Sequence, residues 1–163
     1  MADRTDMIST SPFESRTATL TGSILLHAPI EDAFPLFSPL GERQWVAGWN
    51  PEILSPRGAD WAEGMVFRTV SEGRQVTWVV AHLDRQAHRV VYYRTEPGLV
   101  VARVEVRCQP VGDRRTRVAT QYDYVGLSEA GNDHVAEWTD AAYAAKMAGW
   151  ESTINEVLRR TPR

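Results

Sequence analysis

The sequence has little of several features that would place it in a familiar class of protein. It contains a single cysteine, Cys108, and no apolar run near the roughly eighteen residues that a membrane-spanning helix needs. Its formal net charge of −3 provides no general attraction to nucleic acid or to an anionic membrane. These absences exclude an internal disulfide framework and predict a protein with no nucleic-acid partner and no membrane insertion.

Several catalytic and metal-binding patterns are missing as well. The chain has no nucleophile-elbow motif, no glycine-rich phosphate loop and no paired zinc-ligand spacing. Its histidines are scattered along the chain, at His27, His82, His88 and His134. We therefore predict no metal site and no cofactor, and the sequence identifies no catalytic residue.

The N-terminal residues 1–16 are polar and lack the apolar core of a signal peptide. They show no regular period, so we expect a flexible leader over 1–16. The length of 163 residues fits one domain, which we assign to 17–163. A lone thiol also suits a reducing compartment, and the sequence therefore predicts a cytoplasmic location.

One long amphipathic stretch lies at the C-terminal end. From Ser128 to Arg160 the sequence favours a single helix, with Ser128 as its N-cap. Its apolar face has residues at three- and four-residue spacing, at Val135, Thr139, Tyr143, Met147, Trp150, Ile154, Val157 and Leu158. A helix with so broad an apolar face needs a large apolar partner.

Most of the remaining chain alternates between strands and turns. The predicted strands are 17–27, 52–55, 65–71, 75–84, 89–95, 99–109 and 116–127, and short helices are predicted at 30–37 and 40–46. The run 99–109 alternates most clearly, with valines on one face and charged residues on the other. This order predicts an α+β fold in which a curved antiparallel sheet of about six or seven strands wraps around the long C-terminal helix.

Four segments carry a resemblance to a known family. They are ILLHAPIEDAFPLF at 24–37, ERQWVAGWNPEIL at 42–54, GDRRTRVATQYDYVGLS at 112–128 and AYAAKMAGWESTINEVL at 142–158. In these the chain resembles the START/Bet v-like (SRPBCC) superfamily, above all its bacterial polyketide cyclase/dehydrase- and lipid-transport-like branch. The resemblance implies the helix-grip fold, with a cavity between the sheet and the C-terminal helix that receives a hydrophobic small molecule.

Three functions are compatible with that resemblance. The first is binding, or transport, of a hydrophobic or aromatic small molecule in the internal cavity. The second is a polyketide cyclase/dehydratase-like activity in the same cavity, and the third is a chaperone-activator-like role in which a protein partner is bound. An enclosed cavity with convergent polar groups would favour the first two, whereas a contiguous exposed apolar patch would favour the third. A homodimer is compatible with all three.

Candidate ligand-binding residues come from the strands first. Thr120, Tyr122 and Tyr124 share a face of the last strand, and so many polar tips suit a partly wet pocket, although they could equally reach a sheet rim. Val104 lies on the apolar face of 99–109. Trp78 shares a face with His82, but a competing face of the same strand leaves open which side is inside.

The remaining candidates lie on helices. On the C-terminal helix, Tyr143, Met147 and Trp150 face the sheet, where core and pocket wall would be the same surface. The resemblance implies that Trp45 and Trp49 border the cavity mouth, although they could instead anchor the short helices. Arginines that could bind an acidic head group are Arg68, Arg94 and Arg103, and we interpret them as outer-face residues.

Overall fold

The strands pair into one antiparallel sheet, and the longest helices follow the last strand. The computed structural model describes residues 12–161. The strands are β1 (Thr17–Leu26), β2 (Glu52–Ser55), β3 (Val66–Ser71), β4 (Arg74–Asp84), β5 (Arg89–Glu96), β6 (Val100–Pro110) and β7 (Thr116–Gly126). The helices are α1 (Ile30–Ala33), α2 (Glu129–Glu137) and α3 (Asp140–Arg160), with 3₁₀ turns at Phe34–Phe37 and Gly41–Gln44. The sheet order β1-β7-β6-β5-β4-β3-β2 places the first strand beside the last.

This architecture confirms the predicted helix-grip fold. All seven predicted strands are present, with ends that differ from the predicted ones by at most one residue. The short helices follow β1 as expected, but as one α-helical turn and two 3₁₀ turns. Pro35 contributes to this shortness, because it has no backbone N–H to extend a helix through that point.

The two faces of the sheet differ sharply in chemistry. On β6 the alternate residues Val100 to Cys108 are buried, as the alternation predicted. On the opposite face Arg89 binds Glu105 through two hydrogen bonds of 3.0 Å, and Arg103 and Arg107 contact the same carboxylate. These guanidinium partners lower the pKa of Glu105 to about 2. The apolar face is therefore the one covered by the helices.

Helix α3 is fixed to β1 by side chains that bind its backbone. Asn155 accepts a hydrogen bond from the His27 amide (2.8 Å) and donates one to the Leu25 carbonyl (3.0 Å). Glu151 accepts a third from the Leu25 amide at 2.7 Å. Because β1 is an edge strand, these bonds satisfy backbone groups that no neighbouring strand pairs, and they set the position of α3 along the sheet.

The prediction of one helix from Ser128 to Arg160 is wrong, because the chain breaks between α2 and α3. Trp138 leaves the helical conformation, with φ −81° and ψ 82°, and its ring stacks on Tyr124. Thr139 then caps α3, its hydroxyl accepting a hydrogen bond from the Ala142 amide at 3.1 Å. Ser128 is the N-cap of α2, as predicted. Within residues 12–161 no helix combines the length and apolarity needed to cross a membrane.

The predicted leader, 1–16, falls mostly outside the described residues, which begin at position 12. Its last residues are held against α2. The Asn132 side chain accepts a hydrogen bond from the Arg16 amide (2.7 Å) and donates one to the Glu14 carbonyl (2.9 Å). Ordered structure therefore begins before the first strand.

Candidate functional site

A cavity of about 220 Å³ lies between the apolar face of the sheet and α3. It opens to solvent between Ala47–Gly48 on one side and Val70–Ser71 on the other, all of which are exposed. The inner wall is formed by Val46, Trp49, Val76, Trp78, Tyr92, Val104, Val106, Tyr122 and Trp150, and the polar groups that reach it are Glu42, Thr69, Arg94 and Lys146. An apolar chamber with a few convergent polar groups is the usual form of a small-molecule site.

Larger grooves lie on the outside of the described part of the fold. Their volumes are about 640 Å³ beside α1 and the end of α3, about 540 Å³ between β1 and α3, and about 390 Å³ between the second 3₁₀ turn and the end of α3. These grooves have charged residues of their own, but none of them is lined by Trp78, Arg94 or Lys146. We therefore take the inner cavity as the candidate site.

Two tryptophans of the aromatic wall are held in place because their indole N–H groups have protein acceptors. Trp78 donates to the Thr69 hydroxyl at 3.0 Å, and Trp49 donates to the Pro39 carbonyl at 2.7 Å. The Trp78 ring stacks on Phe67 with centroids 5.7 Å apart and an interplanar angle of 5°. With their polar atoms satisfied, these rings present apolar surfaces to the chamber.

The structure brings together some of the predicted ligand-binding residues. Trp49, Trp78, Val104, Tyr122 and Trp150 all line the cavity. They come from four different elements and the segment after the second 3₁₀ turn, so only the tertiary fold makes them neighbours. The inward direction of Trp78 also decides which face of β4 is inside, which the sequence left open.

A second set of predicted residues packs the interface between α3 and the sheet instead. The hydroxyls of Thr120 and Tyr143 lie 2.6 Å apart, and Thr120 also donates to the Met147 sulfur at 3.2 Å. Tyr124 is sandwiched between Tyr122 and Trp138. The Thr120 hydroxyl, one of the polar tips that suggested a wet pocket, therefore has its partners within the protein.

Trp45 lies behind the cavity wall. It is buried, donates to the Leu36 carbonyl at 2.7 Å, and contacts Trp150 with ring centroids 5.0 Å apart. It therefore anchors the short helices to α3, the alternative that the sequence also allowed.

His82 is turned away from the cavity, contrary to the prediction. The pairing of β4 with β5 shifts register between Val80 and His82, so strict alternation fails at that point. The His82 side chain is 46% exposed, and its Nδ1 lies 3.1 Å from a carboxylate oxygen of Glu63. A β-bulge has thus moved the predicted residue to the outer surface.

Sequence reasoning missed the charged residues of the cavity. Arg94 faces inward, whereas Arg68 and Arg103 pair with carboxylates on the outer face as interpreted. Lys146 is the one lysine in a chain whose lysines and arginines number 18, and this rarity was a usable signal. Glu42 belongs to a short polar turn that carries no distinguishing pattern.

Burial shifts the protonation of both Glu42 and Lys146 towards neutrality. It raises the pKa of Glu42 to about 8, with the charge of Lys146 opposing the rise. It lowers the pKa of Lys146 to about 8, assisted by the charge of Arg94 and opposed by Glu42. At neutral pH the Glu42 carboxyl is therefore mainly protonated, while Lys146 is mainly an ammonium ion.

The ammonium group of Lys146 is surrounded by rings. Its Nζ lies 4.5 Å from the Tyr122 ring centroid, 4.8 Å from that of Trp138 and 5.3 Å from that of Trp150. Cation–π contacts of this kind hold an ammonium ion in place without neutralising its charge. The geometry therefore leaves a positive charge at the cavity wall.

Glu42→Gln should stabilise the protein increasingly as pH rises from about 5 to 8. The folded-state pKa of about 8 lies above the ordinary value of 4.5, so the wild type loses stability across this window while the glutamine variant does not. The carboxyl is buried, but the residue as a whole is half-exposed, so we discount the full effect of the pKa difference and expect a gain of about 2 kcal/mol at pH 8. Urea unfolding at pH 5, 6.5 and 8 measures it, and a difference that stays constant with pH would contradict a buried carboxyl.

Most of the chain matches a known protein family. The family model for polyketide cyclase / dehydrase and lipid transport proteins matches residues 17–154. The chain belongs to this family. A search of curated proteins finds no match.

Several solved structures share the fold of this chain at low sequence identity. Norcoclaurine synthase from Thalictrum flavum, in complex with dopamine and hydroxybenzaldehyde, is 14% identical with a TM-score of 0.63 and covers 91% of each chain. The Zhui aromatase/cyclase from Streptomyces sp. R1128 is 18% identical with a TM-score of 0.64, covering 89% of this chain and 96% of its own. Ara h 8.0201 is 11% identical with a TM-score of 0.65, covering 89% and 100%.

Proposed function

We propose that this protein binds a small aromatic or otherwise hydrophobic molecule in the cavity between the sheet and α3. The observation that carries the proposal is the chamber itself, walled by Trp49, Trp78, Tyr122 and Trp150 and open on one side. Flat aromatic walls favour a flat apolar guest, because its burial releases water from both surfaces. Transport of such a molecule would use the same chamber.

The size of the chamber limits the ligand. A dry engineered cavity of about 150 Å³ holds one benzene molecule. A volume of about 220 Å³ therefore suits one substituted ring or a compact two-ring system. The dopamine and hydroxybenzaldehyde named with the norcoclaurine synthase structure are also one-ring aromatics, and this supports the same ligand class here.

An enzymatic role in the same cavity, cyclase-like or otherwise, is the second candidate. Glu42 and Lys146 both have a pKa of about 8, close to the range in which a group can exchange protons in either direction at neutral pH. For an enolisable ligand, the protonated Glu42 carboxyl would be a general acid, and the minor fraction of Lys146 that is a free amine at neutral pH would be a general base. Turnover should then fall in Glu42→Gln while binding persists.

The binding proposal predicts that filling the chamber abolishes binding while the protein stays folded. Val104→Phe adds atoms directly to the open volume, so the ring occupies the ligand's space and places little strain on the packed core. We expect loss of at least tenfold in affinity for one-ring aromatics, measured by native mass spectrometry and by thermal shift across a ligand panel.

Val79→Phe is the matched control. Val79 lies on the same sheet but is 36% exposed, and it does not line the chamber. The Val79→Phe variant should therefore bind the ligand panel with the affinity of the wild type. If Val104→Phe binds equally well, the ligand lies elsewhere.

A further inference from the structure

We propose that the ligand of this cavity carries a carboxylate, which binds between Lys146 and Arg94 while its apolar part lies against the aromatic wall. This inference rests on the proposed function and adds the chemical class of the ligand to it. The inference is based on the two cations of the chamber, Arg94 and Lys146, whose charges are incompletely paired within the protein.

Arg94 has hydrogen-bonding capacity that the protein leaves unused. Its guanidinium lies over the Trp78 ring, 5.1 Å from the centroid, and it pairs with Glu96. Among the described residues its buried Nε has no hydrogen-bond partner. A buried guanidinium donor without an acceptor is costly, and a ligand oxygen would satisfy it.

The carboxylate of Glu96 is also shared. It is 5% exposed and accepts a second hydrogen bond from Arg74 at 2.9 Å. Arg74 also pairs with the exposed Glu72 at 3.1 Å, whereas Glu96 is the one ion-pair partner of Arg94 among the described residues. Because Arg94 shares that one carboxylate, it keeps part of its positive charge. That residual charge is directed at the chamber, because Arg94 lines it.

Lys146 adds a second positive charge to the same wall. None of the ion pairs within residues 12–161 includes Lys146. Its Nζ instead lies over the rings of Tyr122, Trp138 and Trp150. The nearby acid, Glu42, is mainly protonated at pH 7 because burial raises its pKa to about 8. The chamber thus has two cations, no ionised acid of its own, and a protonated carboxyl that can donate a hydrogen bond.

A carboxylate on a single ring fits these features together. One carboxylate oxygen would accept a hydrogen bond from Arg94, and the other would accept one from the Lys146 ammonium. The ring would stack against Trp78 or Trp150. A neutral ligand would leave Lys146 without a counter-ion and Arg94 with only the carboxylate that it shares with Arg74. An amine would add a third positive charge, which the chamber should reject.

The test compares cinnamate with cinnamamide, which have nearly the same shape and differ in charge. At pH 7 we expect calorimetry to give at least tenfold tighter binding of the acid. Lys146→Met keeps contact with the rings but removes the charge, so it should lower cinnamate affinity about tenfold and leave cinnamamide affinity unchanged. Arg103→Met removes an outer-face charge and should change neither.

The preference should also depend on pH. The groups that face Lys146 are Glu42, Arg94 and Tyr122, with Glu96 behind Arg94. Above pH 8 Lys146 loses its proton and Glu42 becomes an anion, so both changes weaken the attraction for a carboxylate. The affinity ratio of acid to amide should therefore fall steadily between pH 7 and 9.5.

Because Lys146 is the one lysine, ¹³C-methylation of amines labels it and the N-terminus alone. Its NMR titration should show cinnamate raising the pKa of Lys146 above the value of about 8 in the free protein, and cinnamamide should not raise it. Equal affinities for the two compounds would overturn the carboxylate proposal while preserving the binding proposal. If no aromatic compound binds at all, both proposals fail.

Discussion

Gly131→Ala should destabilise the protein by about 3 kcal/mol, measured by urea unfolding. A Cβ atom at Gly131 would lie 1.8 Å from the Leu99 carbonyl oxygen and 2.9 Å from the carbonyl carbon. Both are backbone atoms, and the same oxygen accepts a hydrogen bond from the Leu127 amide at 2.8 Å. No side-chain rotation can relieve the clash, so either α2 or the turn before β6 has to move.

The cost arises where α2 starts. Ser128 donates its hydroxyl to the Gly98 carbonyl at 2.7 Å and accepts from the Gly131 amide at 3.0 Å. A displaced α2 would break this cap as well as the Leu127 bond, which is why we expect more than the usual effect of one added methyl group.

Gly149→Ala, on the neighbouring helix α3, should have the opposite effect on stability. Gly149 is exposed on α3, and an added Cβ would meet no atom within 4 Å. Alanine favours the helix over glycine by about 1 kcal/mol, so this variant should be more stable than the wild type. Similar stabilities for the two alanine variants would show that α2 does not pack closely on the turn at Gly98.

Periodicity in the sequence was sufficient for the architecture because the buried face of a strand recurs at every second residue. The alternation on β6 is a local feature and appears as predicted. The turn between β3 and β4 is local as well, with φ angles of 50° and 76° at Glu72 and Gly73. The break at Trp138 is local too. The pair Trp138–Thr139 followed by an acidic residue is an N-cap signal, but the apolar stripe that continues through it concealed the break.

The site was less predictable because its composition depends on tertiary contacts. The bulge after Val80 that turns His82 outward comes from register with β5, which no single strand specifies. Arg94 looks like an outer-face residue by composition, but its pairing with Glu96 and its contact with Trp78 place it inside. A buried charge is identified by the partners that surround it, and these partners come from distant parts of the chain.

Trp150→Ala should lower the free energy of unfolding by about 3 kcal/mol, near the lower end of the range for a buried aromatic. Trp150 contacts Trp45, with ring centroids 5.0 Å apart, and both Phe37 and Tyr122 at 6.5 Å. One side of the ring borders the open chamber, so fewer packing contacts are lost than at an enclosed position. Urea unfolding measures the change, and Trp150→Phe, which keeps a ring, should cost less than half as much.

The same substitution should alter binding in the opposite way to Val104→Phe. Removing the indole merges its volume with the chamber, so Trp150→Ala should accept larger ring systems that the wild type rejects. It also removes one of the rings around Lys146, 5.3 Å from its Nζ, which frees the ammonium to move. A stability loss below about 1 kcal/mol, with unchanged ligand selectivity, would mean that Trp150 is neither core nor chamber wall.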